Sequence, residues 1–495
     1  MNYLDTFNKT QEKLQAYFYV TSLDSWDYET EAPELNNLLR IKKISIIYEE
    51  IENIKNNPEY QTSLKYLFEH LDELNEIDKR RVTVAYKDNI ITLKVPTKEL
   101  LEYQQLLNEA HPVWVKAKTN NNFSLFQPYL EKIVLFNKKL AKYLETESVK
   151  GYDVLLDLYE EGMNKVKYDA FFKTLQEELV PFILETTQQK RKINKNLTKN
   201  VFSPSKQKEF SKYLIEQLGL NKSIAVLKEA AHPFTAGTSK YDIRLTTHYL
   251  ENKLDSAIFS TIHEAGHGLY ESHIADDLQF TNLGGGVSMG IHESQSRLFE
   301  NMLGRDENFW KAHFPKLKSI FNKELKNVSL EDWLNYINYP KRSFIRTEAD
   351  ELTYPLHIML RYEIERELID GHLKVKDLPK TWNKLFKKYF NLKVPNDTVG
   401  VLQDVHWAGG SFGYFPTYAL GSAISAQVYN SMNKDINIKE ALSNNIQEIN
   451  NWLTEHLHKY GALKTPTEVL KIATGQDFKP AYYIAYLKEK YSKDI

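Results

Sequence analysis

Along nearly the whole chain, apolar residues return at steps of three and four. LNNLLRIKKISIIYEEIENI (residues 35–54), FQPYLEKIVLFNKKLAKYLETE (126–147), KEFSKYLIEQLGL (208–220) and PLHIMLRYEIERELIDGHL (355–373) all carry this spacing, with Lys and Glu between. One apolar stripe per helix that must be buried is what such a period demands, so the expected class is mainly α. The segments share no fixed repeat length, which disfavours a solenoid. Pro58, Pro96, Pro204 and Pro395 punctuate helices rather than mark flexible linkers.

One stretch breaks the habit. In YDIRLTTHYLEN, from Tyr241, the residues Ile243, Leu245 and Thr247 alternate with Arg244, Thr246 and His248, which predicts a strand and hence a small sheet. With 495 residues the chain can bury one large core. The expectation is a single domain over 1–495, with 1–200 as an N-terminal helical subregion and 201–495 as the catalytic portion.

Charge and composition exclude several classes. Lys and Arg number 64 against 66 Asp and Glu, so no global field selects nucleic acid or an anionic membrane as partner. The basic run QQKRKINKN (188–196) reads as a solvated helix end. No apolar run approaches the ~20 residues that span a bilayer, and the N-terminus lacks the basic start and apolar run of a signal peptide. A cytoplasmic protein is expected, in which the sequon at Asn196 goes unglycosylated. Cysteine is absent, which removes thiol catalysis and Cys-based zinc sites. Any metal must sit on His, Asp or Glu.

TIHEAGHGLYE (261–271) supplies such a set. Residues four apart on an α-helix lie about 40° from register and ~6 Å apart along the axis, so His263 and His267 can grip one ion. Asp255 or Ser256 is expected to cap this helix, and Ile258, Ile262 and Leu269 to bury its stripe. Glu264 points about 100° round from His263, beside a metal-acidified water, and is the general-base candidate. A catalytic zinc takes three protein ligands and keeps one open position. Glu293, in GIHESQSRLFE, can be returned to the first helix by the turn LGGGVSMG; Glu300 is the reserve, and Glu271 points past the ion. The turn lacks the Lys-Ser/Thr of a phosphate loop, so a nucleotide site is not expected.

The polar clusters AHPF (231–234), DIRLT (242–246), HEAGH, HESQ (292–295), IRTEAD (345–350) and GVLQDVHW (400–407) resemble, in order, the motif series of the carboxypeptidase Taq family of metallocarboxypeptidases. SWDYET (25–30) and YDVLLDLYEEGM (152–163) extend the likeness over the chain. EAPELNN, after SWDYET, departs from the family's Pro-Pro-Gly-like turn. The resemblance implies a nearly all-α domain with a deep central groove roofed by N-terminal lid helices, assembled as a homodimer. It also implies stepwise, broad-specificity removal of C-terminal residues from peptides, using one divalent metal per chain, zinc or cobalt. By position it makes His263, His267 and Glu293 the metal ligands and Glu264 the catalytic carboxylate.

The remaining expectations are chemical. An oxyanion needs a fixed donor, for which Tyr418 and His406 are favoured over Tyr414. A terminal carboxylate suits the planar fork of Arg244 or Arg346, unless each is spent in an ion pair, as Arg346 with Asp350. His232 either reaches substrate or caps a turn. The strand from Tyr241 can pair with an extended peptide at a sheet edge, and Asp242, Asp350 or Asp404 can orient the ligand imidazoles. Rival readings are a metallo-oligopeptidase or endopeptidase with the same site and, more remotely, a non-catalytic helical peptide-binding protein.

Overall fold

A computed structural model describes residues 2–188 and 192–492; residues 189–191 of the basic run therefore lie outside it. Helices dominate, with one three-stranded sheet among the described residues. The chain divides into two compact units, Met1–Asn89 with Lys192–Asn338 and Ile424–Phe478, and Ile90–Arg191 with Tyr339–Ala423 and Lys479–Ile495. No helix among the described residues is long and apolar enough to cross a membrane.

The three- and four-residue spacing produces helices where expected, with burial following the stripe in most. Helix Phe123–Leu144 buries Phe126, Leu130, Ile133, Val134, Leu140 and Ala141 along one face. Pro58 and Pro204 open helices at a first-turn position, where the missing N–H costs nothing. Two helices behave differently. Asn37–Lys55 forms, yet Leu38 and Ile46 remain 78% and 65% exposed, and only Ile51 is buried. Tyr354–Asp370 is instead buried nearly all round. Its charged positions are accommodated by pairing: Arg361 donates to Asp404, while Glu365 accepts from Tyr152 and Trp407.

In the first unit the predicted strand is present as β3, Asp242–Thr247, but it is central. It pairs in parallel with β1 (Ala225–Glu229) and antiparallel with β2 (Thr235–Ser239). The expectation that β3 offers a free edge to a peptide is therefore wrong, because both of its sides are already hydrogen-bonded. Ile243 and Leu245 point inward to helix Leu254–Ser272. The contact is close at Gly268, where a Cβ would lie 2.8 Å from Ile243 Cγ2. That helix begins at Leu254 after Lys253, with no side-chain cap, so neither Asp255 nor Ser256 caps it. Asp255 instead accepts from Tyr336 Oη at 2.6 Å.

Candidate metal centre

Helix Leu254–Ser272 carries His263, Glu264 and His267, and helix Met289–Arg297 carries Glu293. They approach closely because Gly266 has no side chain: a Cβ there would lie 2.8 Å from both Gln295 O and Ser296 Cα. The turn 283–290 reverses the chain between them, and Ser288 caps the second helix by accepting from Ile291 N at 3.1 Å.

The packing gathers three ligand-type atoms. Nε2 of His263 and Nε2 of His267 lie 3.6 and 3.7 Å from Glu293 Oε2, and donor atoms of the three residues all fall within 4.8 Å of one another. Ligands held at zinc-type distances in a tetrahedron stand about 3.3 Å apart, so this all-N/O set fits a divalent ion with little movement.

Each imidazole's outer nitrogen is engaged. His263 Nδ1 meets Glu300 Oε2 at 2.9 Å, and Glu300 in turn accepts from Arg297 Nη1 at 3.2 Å and Arg305 Nη2 at 3.4 Å. His267 Nδ1 meets His292 Nδ1 at 2.5 Å, and His292 Nε2 meets Glu271 Oε1 at 2.7 Å. Glu300 thus bonds the outer nitrogen of His263 instead of joining the three gathered atoms, and Glu271 meets His292. Asp242, Asp350 and Asp404 are not the orienting carboxylates. Asp242 accepts from Arg244 Nε at 2.9 Å and Thr238 Oγ1 at 2.7 Å. Asp350 accepts from the backbone of Lys341 and Thr353, and Asp404 is paired with Arg346 and Arg361.

Burial and charge divide the site. Burial alone would lower His263, but Glu293, Glu300 and Glu264 outweigh it and raise its pKa. His267 is held well below the usual range, chiefly by burial, so it keeps a neutral ring. Burial would raise Glu300, yet Arg297, His263 and Arg305 together hold it far below the carboxylate range and keep it ionised. Glu264 is raised, chiefly by burial, although His263 and Thr235 oppose the shift. Its Oε2 accepts from Thr235 Oγ1 at 2.6 Å, so the carboxylate is aimed by a residue of β2. A buried, fixed carboxylate with a raised pKa suits proton transfer near neutral pH.

The other expected residues form two further groups. In the same unit, His232 is exposed, and its carbonyl accepts from Thr246 Oγ1 at 3.4 Å. Arg244 is bound to Asp242 through Nε and Nη2 and lies 5.7 Å from the Trp26 ring, which packs edge-on to Phe234 at 5.9 Å. Three of the sequence motifs thus meet at Trp26. In the second unit, Arg346 is buried and bonded to Asp404 and Tyr354, not to Asp350. Its guanidinium lies 5.1 Å from the Tyr418 ring. His406 packs 5.5 Å from Tyr414 and 6.2 Å from Tyr418. Burial and Arg346 bring the His406 imidazole down to about 4. Burial and Tyr414 push the Tyr418 phenol well up, so it stays a proton donor.

Thr235, His292, Arg297 and Arg305 escaped the sequence reading. His292 and Arg297 flank Glu293 at one and four residues, a spacing that places them on neighbouring faces of its helix.

Comparison with known proteins bears on the whole chain. The profile described as Carboxypeptidase Taq (M32) metallopeptidase matches residues 6–491. Carboxypeptidase 1 of Bacillus subtilis is 40% identical over 483 residues, covering 97% of this chain and 96% of that protein. Thermostable carboxypeptidase 1 of Pyrococcus furiosus is 35% identical over 487 residues, covering 97% and 96%. The crystal structure of the M32 carboxypeptidase from Deinococcus radiodurans R1 superposes with a TM-score of 0.94 at 30% identity, covering 100% of this chain and 99% of that one. With a His-His-Glu donor set and a buried carboxylate beside it, the chain belongs to the carboxypeptidase Taq (M32) family and is a metallocarboxypeptidase, a peptide hydrolase.

Proposed function

We propose that His263, His267 and Glu293 hold one divalent ion, zinc or cobalt, and that Glu264 is the general base for removing single residues from the C-termini of peptides with broad side-chain preference. The observation that carries this reading is the gathering of three ligand-type atoms within 4.8 Å beside a buried, hydrogen-bonded carboxylate. The ion supplies Lewis acidity, acidifying water and polarising the scissile carbonyl. Glu264 Oε2 takes the proton from the attacking water and carries it to the departing amine. Thr235 holds that carboxylate in one rotamer between the two transfers, and Glu300 and His292 hold the two imidazoles.

Tyr418 and His406 are proposed as donors to the developing oxyanion, with Tyr414 beside them. Arg244 or Arg346 is proposed to bind the terminal carboxylate, and His232 to contact substrate. Support for these roles comes from the chemistry of the groups: a phenol kept protonated, an imidazole kept neutral, and guanidinium forks suited to carboxylates. The chain is also proposed to form a homodimer, which light scattering would test, and to reside in the cytoplasm, which fractionation would test.

The testing experiment is a mass-spectrometric time course on one N-acetylated peptide and its C-terminally amidated twin. Ladder shortening of the free acid, with the amide left whole, is expected. Internal cleavage of both would sink the exopeptidase assignment while sparing the base and ligands.

A further inference from the structure

Hydrogen-bond direction along Glu271, His292 and His267 can be worked out atom by atom. Glu271 Oε1 already accepts from Gly286 N at 3.0 Å, and a carboxylate offers no hydrogen of its own. His292 Nε2, 2.7 Å away, must therefore carry a hydrogen. A neutral His292 then presents a lone pair at Nδ1, which faces His267 Nδ1 at 2.5 Å. Two lone pairs cannot face each other at that distance, so the hydrogen between the rings sits on His267 Nδ1. That leaves His267 Nε2 with its lone pair turned toward Glu293 Oε2, 3.7 Å away. The tautomer needed to bind a cation is thus set from the far end of the chain.

We infer that His292 is a positioning residue: the Glu271–His292 pair fixes His267 as the Nδ1–H tautomer and thereby sets metal affinity. The inference rests on the reading of His263, His267 and Glu293 as ligands. His263 reaches its partner carboxylate, Glu300, directly, whereas His267 reaches one through a second imidazole. The second ring needs room, and the glycine-rich turn provides it. A Cβ on Gly286 would lie 2.4 Å from His292 Cδ2 and 2.8 Å from Tyr270 Cε1. This gives the turn a purpose other than reversing the chain, since its third glycine is the floor on which His292 rests.

The test is zinc affinity of the chelator-stripped full-length protein, measured by competition with a chromophoric chelator, alongside ring 15N shifts of selectively labelled histidine assigned with His267→Gln. His292→Phe should raise the zinc dissociation constant about tenfold to a hundredfold, the range for losing a ligand's outer partner. His292→Asn, which keeps an acceptor near the Nδ1 position, should recover most of that loss. Gly286→Ala retains every hydrogen-bonding group but crowds His292, and should weaken zinc in the same direction; it also decides the matter if His292→Phe does not fold. His267 in the parent should show a protonated Nδ1 and a bare Nε2. Unchanged affinity in both His292→Phe and Gly286→Ala, or a protonated Nε2 on His267, as a doubly protonated His292 would impose, overturns the inference. His267→Ala separates the levels: it should abolish tight zinc binding, and retained binding would mean that the ligand reading itself has failed.

Discussion

Arg297 Nε donates to Glu293 Oε1 at 2.7 Å, occupying the carboxylate oxygen other than the one nearest the two histidines. The guanidinium also reaches Glu300 through Nη1 at 3.2 Å, so one planar fork ties a candidate ligand to the group that orients another. Arg297→Met should raise the metal dissociation constant on the order of tenfold to a hundredfold. Arg297→Lys should recover only part of it, because an ammonium lacks the fork. Chelator competition on both variants, with the parent as reference, gives the answer.

Glu264→Gln should lower kcat by about a hundredfold to ten-thousandfold with metal content unchanged, since the amide keeps the volume but cannot take a proton. Thr235→Val should give a smaller fall in kcat at nearly constant KM, and Thr235→Ser should restore it. Equal turnover of the Val and Ser variants would show that the hydroxyl does not hold the base.

Two glycines in HEAGHG separate backbone crowding from side-chain crowding. A methyl on Gly266 meets backbone atoms of Gln295 and Ser296 at 2.8 Å, which cannot rotate away, whereas a methyl on Gly268 meets the Ile243 side chain at 2.8 Å. Gly266→Ala should cost about 1–3 kcal/mol of stability and loosen metal binding by moving Glu293. Gly268→Ala should cost less and leave the metal alone. Urea midpoints and metal titrations of the pair test this order.

His313 is 8% exposed, with Nδ1 2.9 Å from Tyr213 Oη, and burial brings its pKa down to about 4. The folded value lies below the unfolded one, near 6.5, so the unfolded chain binds the proton more readily between the two. The stability from keeping this ring neutral is complete above pH 6.5 and lost as pH falls toward 4, by at most about 3 kcal/mol. His313→Leu should flatten the dependence of the unfolding midpoint between pH 6.5 and 4.5. An unchanged slope would assign the acid lability to other groups.

Residue spacing made much of this molecule legible. The helical period identified the fold class, and the four-residue step of His263 and His267 picked out two of the three residues that gather in the candidate site, because both depend on the angle per residue alone. Glu293 followed from a turn long enough to bring its helix back. What failed were choices that depend on neighbours far along the chain. AVLKE and TAGTS show no apolar alternation, so β1 and β2 were invisible and β3 was mistaken for an edge. The imidazoles' outer partners were sought among aspartates of recognisable motifs, whereas Glu300, His292 and Glu271 hold them, a choice fixed by ring orientation. The alternative to a carboxylate-binding Arg346, an ion pair with Asp350 one helical turn on, is not the pair that forms, because a short 3-10 turn places Arg346 against Asp404.

The stretch Leu298–Leu303 is a π-helix, directly continuous with the helix that carries Glu293. A π-turn holds one residue more per turn than its α-helical counterpart, so Glu300 reaches His263 with a phase that uninterrupted α-helix would not give it, and Arg305 reaches Glu300 from beyond the turn. The consequence is a constraint on chain length more than on residue identity. Conservative replacements at Leu298, Phe299, Met302 or Leu303 can leave the phase intact, while deletion of any one of these residues would let the helix relax to the α form. Arg305 would then keep its direction, since one residue fewer at ~100° each spans nearly the angle that the wider turn covers, while Glu300, inside the turn, would rotate by roughly 50°. Among natural relatives and in random libraries, this segment should accept altered residues far more readily than gaps.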